Sequence, residues 1–257
     1  MAGEILTCCK QDRILKDDIL LSPNGKKIQV SAFCTEQGRW TKKSESFSYE
    51  CTISPQSVRK PAQVSGSQGM VWQSVSDVNQ KYDTARSNNT GALNYVYKSK
   101  KVQESITPYF NYFLNIPEND SSIKGVMVLY GNNVSCVDLF GNHRVFKKLW
   151  PRLLKSYVMD YASDRNNIYD CKINKFDIKT AKKFINNAII SKASIETNPG
   201  SGKLFKITGD DVQGKALMLK NSLVHLVLFA ETNTTGQNDK KQKKNNFEFN
   251  NVQQIVR

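Results

Sequence analysis

Residues 122–161 read SIKGVMVLYGNNVSCVDLFGNHRVFKKLWPRLLKSYVMDY, and this stretch decides the fold. Its first part, 123–130, is apolar and rich in β-branched residues, which is typical of a buried strand. The Gly-Asn-Asn sequence at 131–133 supplies residues that tolerate the positive φ of a tight hairpin. Residues 134–140 are therefore predicted to return as the second strand of a hairpin.

A helix is predicted directly after this hairpin. Gly141 ends the strand, and Asn142 is suited to cap the helix N-terminus. Apolar residues then recur at the spacing of one helical face, namely Val145, Phe146, Leu149, Trp150, Leu153, Leu154, Tyr157, Val158 and Tyr161. Basic residues lie off that face, namely Arg144, Lys147, Lys148, Arg152 and Lys155. Pro151 falls inside the pattern and is predicted to kink the helix or divide it in two.

The remaining chain adds helices and strands that together predict a single α+β domain over residues 1–231, with a mixed or antiparallel sheet and helices packed on it. Strands are expected at 3–9, 28–36, 42–54, 203–208, 215–219 and 223–229, and a turn at 55–59. Helices are expected at 70–82, 92–97 and 103–114, and another is expected after a cap at Asp177. Residues 232–257 are rich in Asn, Gln and Lys and are predicted to be a disordered basic tail.

Charge is the strongest compositional signal. The chain of 257 residues carries a formal net charge of +14, which suits nucleic acid, phosphorylated ligands or anionic surfaces as partners. The same charge is also typical of a lysine-rich surface that is merely solvated. No apolar run reaches the ~18 residues of a membrane span, and the N-terminus lacks the layout of a signal peptide. We therefore expect a cytoplasmic protein that does not enter a membrane.

The cysteines argue against zinc and against a disulfide framework. There are six, at positions 8, 9, 34, 51, 136 and 171, and no pair has a C-x-x-C spacing. With His143 and His225 as the two histidines, no metal site is predicted. Without a secretion signal, we expect reduced thiols. Gly200-Ser201-Gly202-Lys203 is not a phosphate-binding loop, because Leu204 follows the lysine and a strand follows the loop. The sequence identifies no cofactor.

The N-terminal third holds the residues best suited to chemistry. Polar residues at 10–13 follow the first predicted strand, and the turn at 38–40, with an arginine and a tryptophan, ends the strand at 28–36. The predicted ligand-binding residues are Lys10, Gln11, Arg13, Arg39 and Trp40. Arginine presents a planar fork to phosphate or carboxylate, and an indole stacks on a base or sugar. Glu36 is the predicted general base. The alternative is an Arg–Glu pair that braces a loop, with Trp40 in the core. Cys34 is expected to pack as a small apolar side chain.

Two motifs together resemble a known family. The first comprises Gly3-Glu4, the Lys-Gln-Asp-Arg sequence at 10–13 and the Cys-Thr-Glu-Gln-Gly-Arg-Trp sequence at 34–40. The second comprises the Asp-Leu-Phe-Gly sequence at 138–141 and residues 146–157; Gln68-Gly69-x-Val71-Trp72 and Val224-His225-Leu226 agree in order. The chain resembles the ARG-and-rhodanese-phosphatase-superfamily-associated protein domain family over residues 3–230. Cys8-Cys9 and Met70 depart from the family pattern.

The resemblance implies a link to nucleotide, ADP-ribose or protein-modification chemistry, and it carries over no catalytic residues. The leading hypothesis is a domain that recognises or processes a phosphorylated, nucleotide-like ligand. The alternative hypothesis is a non-catalytic module that binds nucleic acid or a protein partner through the basic helix face and the tail. Whether the protein is an enzyme stays open at this point.

Overall fold

The hairpin and the helix predicted at 123–161 both form in a computed structural model of the chain, which describes residues 1–23, 25, 27–130, 133–162 and 178–231. The strands are β1 (Glu4–Cys8), β2 (Arg13–Leu15), β3 (Ala32–Cys34), β4 (Phe47–Ile53), β5 (Gly125–Tyr130), β6 (Asn133–Phe140), β7 (Lys192–Glu196), β8 (Lys203–Thr208), β9 (Val212–Leu219) and β10 (Ser222–Ala230). The helices are α1 (Gln56–Lys60), α2 (Gln68–Lys81), α3 (Leu93–Lys98), α4 (Lys100–Phe113), α5 (Ile116–Asn119), α6 (His143–Ala162) and α7 (Ile178–Ile189).

The strands form two antiparallel sheets. The first sheet has four strands in the order β3-β2-β1-β4, and the second has six in the order β5-β6-β10-β9-β8-β7. β10 lies between β6 and β9, so a strand from the end of the described chain sits in the middle of the larger sheet. The predicted fold class, a single α+β domain, is confirmed, and every strand pair among the described residues is antiparallel.

Helix α6 fills the core between the sheets and the other helices. Its 20 residues carry large apolar side chains that are almost fully buried, among them Phe146, Trp150, Leu153 and Leu154. The Asn142 side chain accepts a hydrogen bond from the Arg144 N–H at 2.8 Å, which confirms the predicted N-cap. The helix is a single element across Pro151, so the predicted division does not occur. None of the helices in the described ranges is long and apolar enough to cross a membrane.

Several elements differ from the sequence prediction. The turn expected at 55–59 is helix α1, which continues into a π-helical turn at Pro61–Ser65. The strand expected at 28–36 shrinks to the three residues of β3. Strand β7 was not predicted, because its alternation of polar and apolar residues spans only five positions and four of its residues are exposed. The predicted Asp177 cap and the predicted tail at 232–257 lie outside the described residues.

Candidate functional site

The residues predicted to bind a ligand lie around a buried ion-pair cluster where β1 ends. Arg39 is at its centre: one guanidinium nitrogen lies 2.5 Å from the Glu36 carboxylate and 3.2 Å from the Asp12 carboxylate. Glu36 also accepts a hydrogen bond from the Asp12 backbone N–H at 3.1 Å. All three side chains are almost fully buried. Of the predicted charged residues, Arg39 and Glu36 are therefore paired with each other, and Asp12 joins them.

Backbone carbonyls take up most of the remaining hydrogen bonds of this cluster. The other terminal nitrogen of Arg39 donates to the carbonyl of Cys9 at 2.7 Å and to that of Thr41 at 3.0 Å. The Gln11 amide donates to the Glu36 carbonyl at 3.1 Å. The guanidinium thus ties the turn after β1 to the turn at 36–41. This geometry favours the bracing alternative for Arg39 and Glu36.

The pKa values of the two carboxylates in the cluster shift in opposite directions. Burial alone would raise the pKa of Glu36, but hydrogen bonds from Arg39, Thr90 and the Asp12 backbone outweigh it and hold the pKa below its usual value. Burial, together with the neighbouring Glu36 charge, raises the pKa of Asp12. A general base works best with a pKa near the working pH. The contacts of Glu36 therefore do not support the base role, which stays a prediction.

The other predicted ligand residues lie outside this buried network. Lys10 is exposed in the turn, and Arg13 is half-buried on β2 opposite Cys34. Trp40 is 68% exposed, so it is not part of the core. The Cys34 thiol is buried and donates to the Glu36 carbonyl at 3.3 Å, as expected for a packed cysteine. Lys10 and Trp40 remain accessible to a ligand, and their binding roles stay predictions.

A cleft opens directly beside the 36–41 turn. It has a volume of about 170 Å³ and is lined by Gln37, Trp72, Val75, Ser76, Asn79, Ala85, Asn88 and Gly91. The indole of Trp72 forms one wall from helix α2, and the segment at 85–91 forms another. No charged side chain is among the lining residues. The cleft is thus a small site with an aromatic wall and uncharged hydrogen-bonding groups.

Buried amides hold the loop wall of this cleft in place. Asn88 donates to Asn79 at 2.7 Å and to the Ala92 carbonyl at 2.8 Å, and its own oxygen accepts from the Ala92 N–H. The Thr84 hydroxyl donates to Asn79 at 2.9 Å. Both asparagine side chains are buried. The wall is therefore fixed by side-chain hydrogen bonds within the protein, which leaves little cost for ordering it around a ligand.

The cleft and the ion-pair cluster share a segment of backbone. The Gly38 N–H donates to the Thr90 carbonyl at 2.9 Å, and a Cβ on Gly38 would meet the Thr90 backbone at 3.0 Å. Since Gln37 lies between Glu36 and Gly38, the cluster fixes the position of this lining residue. Arg86 follows the lining residue Ala85, is exposed, and forms no ion pair within the described residues.

A second charged cluster lies deep between the sheets. Asp138 on β6 is bound by both terminal nitrogens of Arg59 at 2.7 and 3.2 Å, by the Tyr157 hydroxyl at 2.7 Å and by His225 at 3.0 Å. The other ring nitrogen of His225 lies 2.6 Å from Asp18. All five side chains are buried. A Cβ on Gly3, whose φ is +86°, would come within 2.8 Å of Arg59, so this position suits glycine.

The pKa shifts of this cluster follow from its pairing. Burial alone would lower the pKa of His225, but Asp18 and Asp138 outweigh it and raise the pKa to about 9. Burial would raise the pKa of Asp138, but Arg59 and His225 hold it well below its usual range. The histidine is therefore a buried cation between two carboxylates. The constellation resembles a catalytic one in composition, but its burial makes it a structural tie between sheet and helices.

Sequence reasoning missed the roles of His225, Asp138 and the cleft. An aspartate inside the apolar strand at 134–140 was the available signal for a buried charge, since such a residue needs partners. Trp72 was predicted only as part of the helix at 70–82 and of the family motif. Among the described residues, no three His, Cys, Asp or Glu side chains lie together in a way that could hold a metal ion.

The predicted basic face of α6 is partly engaged in the protein. Arg152 pairs with Glu4 at 2.7 Å, and Lys147 pairs with Glu118. Lys155 lies over the ring of Tyr97 at 5.6 Å. Arg144 and Lys148 are exposed and form no ion pair within the described ranges. Nucleic-acid binding through this face and the tail stays a prediction.

Comparison with known proteins identifies the family. A search of the curated proteins and a search of the solved structures find no match. The family model described as "ARG and Rhodanese-Phosphatase-superfamily-associated Protein domain" matches residues 1–229, which include both charged clusters and the cleft. The resemblance seen in the sequence motifs is thereby confirmed, and the chain belongs to the ARG and Rhodanese-Phosphatase-superfamily-associated Protein domain family.

Proposed function

We propose that this protein recognises a phosphorylated, nucleotide-like ligand in the cleft between the 36–41 turn, helix α2 and the 85–91 segment. The observation that carries the proposal is the lining of the cleft, which combines Trp72 with uncharged polar side chains. Arg86 follows the lining residue Ala85, is exposed, and has no ion pair within the described part of the chain. The base or another planar ring of the ligand occupies the cleft, and the phosphate contacts Arg86.

The lining supports a planar, hydrogen-bonding ring. Bases stack on aromatic side chains and are read by hydrogen bonds to their edges. Trp72 offers a stacking face, and Gln37 and Ser76 form no hydrogen bond through their side chains within the described residues. A carboxamide both donates and accepts, as the edge of a base requires. The amides of Asn79 and Asn88 are engaged with each other and shape the site instead.

The volume supports enclosure of a single ring system. A protein cavity of ~150 Å³ holds a benzene molecule, and the cleft has about 170 Å³. Sites that enclose a whole drug-sized molecule are larger, at ~300–1,000 Å³. The remainder of the ligand therefore extends out of the cleft, where Arg86 lies in solvent. A guanidinium can bind a phosphate with two parallel hydrogen bonds.

The charged cluster takes a positioning role in this proposal. Arg39 and Glu36 hold the turn that carries Gln37, and they do not contact the ligand. Glu36 is ion-paired, and the cleft lining includes no Cys, His, Asp or Glu that would serve as nucleophile or base. The geometry therefore supports recognition of the ligand better than its conversion.

The test is a thermal-shift panel of nucleotides, ADP-ribose and sugar phosphates with the full chain, followed by titration calorimetry on each compound that raises the melting temperature. Arg86→Ala is expected to lower affinity for the phosphorylated compound at least ten-fold, with the melting temperature of the free protein unchanged. Arg144→Ala removes a similarly exposed arginine from α6 and is the matched control. Trp72→Leu is expected to abolish binding of the ring.

Two further variants test whether the ligand binds in the cleft or on the surface around Lys10 and Trp40 that the sequence predicted. Lys10→Ala and Trp40→Ala change exposed side chains outside the cleft lining. We expect both to bind like the wild type. Loss of binding in these variants, with Arg86→Ala unaffected, would move the site to the Lys10–Trp40 surface and refute the cleft. If none of the compounds in the panel raises the melting temperature, the proposal of a nucleotide-like ligand is refuted.

A further inference from the structure

Strand β7 leaves one edge of the larger sheet open. It is the last strand of the six, and within the described chain it pairs with β8 alone, in a continuous register from Lys192 opposite Thr208 to Glu196 opposite Leu204. An edge strand carries unpaired N–H and C=O groups along its outer side. Four of its five residues are exposed, and Ile195 is 66% exposed. β7 is therefore a template on which another strand can pair.

The other three edges of the two described sheets, β3, β4 and β5, have protecting features that β7 lacks. β4 pairs with β1 through a register shift between Glu4 and Leu6, and its Cys51 has a φ of +52°. At β3, the Gln68 side chain accepts from the Cys34 N–H at 2.7 Å and donates to the Cys34 carbonyl at 2.9 Å. β5 has a register shift after Val128 and is largely buried. Within the described residues, β7 has no register shift, no proline and no side chain bonded to its backbone. The features of β7 that oppose strand addition are its charged residues Lys192 and Glu196, which an incoming strand must match with opposite charges.

The sequence of β7 is complementary to a second copy of itself. The strand reads Lys-Ala-Ser-Ile-Glu. In an antiparallel pair related by a twofold axis at Ser194, Lys192 lies opposite Glu196 of the other copy, and the reverse pair forms at the other end. One oxygen of Glu196 already contacts Lys215 of its own chain at 2.6 Å, so the pair with Lys192 uses the second oxygen. Opposite charges across a strand pair stabilise it, and like charges oppose it. Ile195 then lies opposite Ala193 of the other copy, so apolar residues meet on the other face.

The register is restricted by the faces of the sheet. Ile195 pairs with Phe205, and Ala216 and Leu226 continue the same row on the face where α7 packs. A shift by one residue would put Lys192 opposite Ile195 and mix the polar and apolar faces. The register centred on Ser194 keeps the faces separate and pairs all five residues. Exposed Ile189 and Ile190, at the end of α7 just before β7, add apolar surface near this edge.

We propose that two copies of this chain associate through antiparallel pairing of their β7 strands, which joins the two six-stranded sheets into one continuous sheet. The partner is a second copy because the charges at the two ends of β7 complement each other under the twofold axis. Such a contact is isologous and closes on itself, so it yields a dimer and not a filament. This inference is independent of the cleft and of the proposed ligand.

The first test is the mass of the full chain in solution, by light scattering and sedimentation over a range of concentrations. We expect a species of twice the 29.1 kDa chain mass at high concentration. Lys192→Glu places like charges at both ends of the pair and is expected to weaken the dimer at least ten-fold. Lys148→Glu makes the same charge change on α6 and is the matched control. Both lysines are exposed, so both variants should keep the wild-type melting temperature.

The second test reads the register directly. Directly opposed residues of an antiparallel pair have Cα atoms ~4.5–5.5 Å apart, within the range that a disulfide spans. Ser194→Cys is therefore expected to give a disulfide-linked dimer on mild oxidation, well above the wild-type chain with its native cysteines. Ser76→Cys, exposed on α2, is the control.

Two outcomes would overturn the proposal. A chain that is monomeric at every concentration refutes it, and so does a dimer that Lys192→Glu leaves unchanged, because another surface would then form the contact.

Discussion

Two buried charge clusters in this protein have similar chemistry and different origins. Each has an arginine bound to carboxylates and little exposure to solvent. The cluster around Arg39 draws its groups from residues 8–41, with Thr90 as an outside contact. The cluster around Asp138 draws on residues 18, 59, 138, 157 and 225.

The difference shows what each cluster stabilises. The Arg39 cluster closes short loops, so the segments it joins are close along the chain in any conformation. The Asp138 cluster joins segments up to 207 residues apart. It forms only when β6, β10, α1 and α6 are all in place. We therefore expect the Asp138 cluster to govern global stability and the Arg39 cluster to govern the local order of the turns beside the cleft.

The largest effect is expected from Asp138→Ala. The change leaves Arg59 and protonated His225 buried without their shared carboxylate, and an uncompensated buried charge costs about 3–5 kcal/mol. The free energy of unfolding, measured by urea denaturation, should fall by that amount or the variant should fail to fold. Asp77→Ala on the exposed face of α2 is the control and should stay within about 0.5 kcal/mol of the wild type. A loss below about 1 kcal/mol for Asp138→Ala would contradict the central role of the cluster.

The second-largest effect is expected in the pH dependence of stability, to which the Asp138 cluster contributes a histidine titration and the Arg39 cluster does not. The folded pKa of His225, about 9, lies above the ordinary value of 6.5. Protonation of His225 therefore stabilises the fold fully below about pH 6.5, and this contribution declines as the pH rises and is lost above about pH 9. A shift of this size corresponds to about 3 kcal/mol. No histidine belongs to the Arg39 cluster, so that cluster contributes no histidine titration in this window.

Two measurements check this expectation. Unfolding free energies between pH 6 and 10 should fall more steeply for the wild type than for His225→Gln. Because the chain has two histidines, NMR titration of the imidazole resonances assigns the shift even where the variant does not fold. One ring should stay protonated to about pH 9. If no imidazole stays protonated to about pH 9, the buried cation does not exist.

A smaller and more local effect is expected from Arg39→Ala. Removal of the guanidinium leaves the carboxylates of Asp12 and Glu36 without their ion-pair partner. Because both lie in turns that can open to water, we expect the free energy of unfolding to fall by about 2 kcal/mol. Hydrogen exchange should increase at the 8–12 and 36–41 turns and stay unchanged in β6 and β10. Arg13→Ala, which removes a half-buried arginine without an ion pair in the described chain, should lose about 0.5 kcal/mol. Equal losses for the two would argue against the bracing role of Arg39.

The contrast between the clusters also explains what the sequence could predict. The hairpin of β5 and β6, the helix α6 and its Asn142 cap followed from local patterns, because periodicity, turn residues and caps act over a few residues. The grouping of Glu36 with Arg39 was visible for the same reason, whereas the role of Asp12 was not predicted. The pairing of Arg39 with Glu36 was one of two open alternatives, since composition does not show which groups face solvent.

The remaining site required information that local patterns do not hold. His225 meets Asp138 because β10 pairs with β6, with His225 opposite Phe140 and Val227 opposite Asp138. Periodicity indicates that a strand is buried, but it does not show which other strands pair with it. The cleft arises where α2 meets two turns that are about 50 residues apart along the chain. Strand β7 was missed because Ala193 and Ile195 are its only apolar residues, which is too short an alternation to identify a strand.

The smallest effect is expected from Tyr157→Phe, which tests how much a single hydrogen-bond donor to Asp138 contributes to stability. Tyr157→Phe removes one hydroxyl that donates to Asp138 at 2.7 Å and keeps the ring in the core. A hydrogen bond to a charged acceptor contributes about 1.5–3 kcal/mol, but Arg59 and His225 already supply donors, so we expect a loss of about 1.5 kcal/mol. Tyr97→Phe is the matched control, since this buried hydroxyl donates to the neutral Ile53 carbonyl at 2.7 Å and should cost about 1 kcal/mol. A loss for Tyr157→Phe well below that for Tyr97→Phe would mean that Arg59 and His225 alone satisfy Asp138. The cluster would then reduce to a chain of ion pairs from Asp18 to Arg59, with the tyrosine as a packing residue beside it.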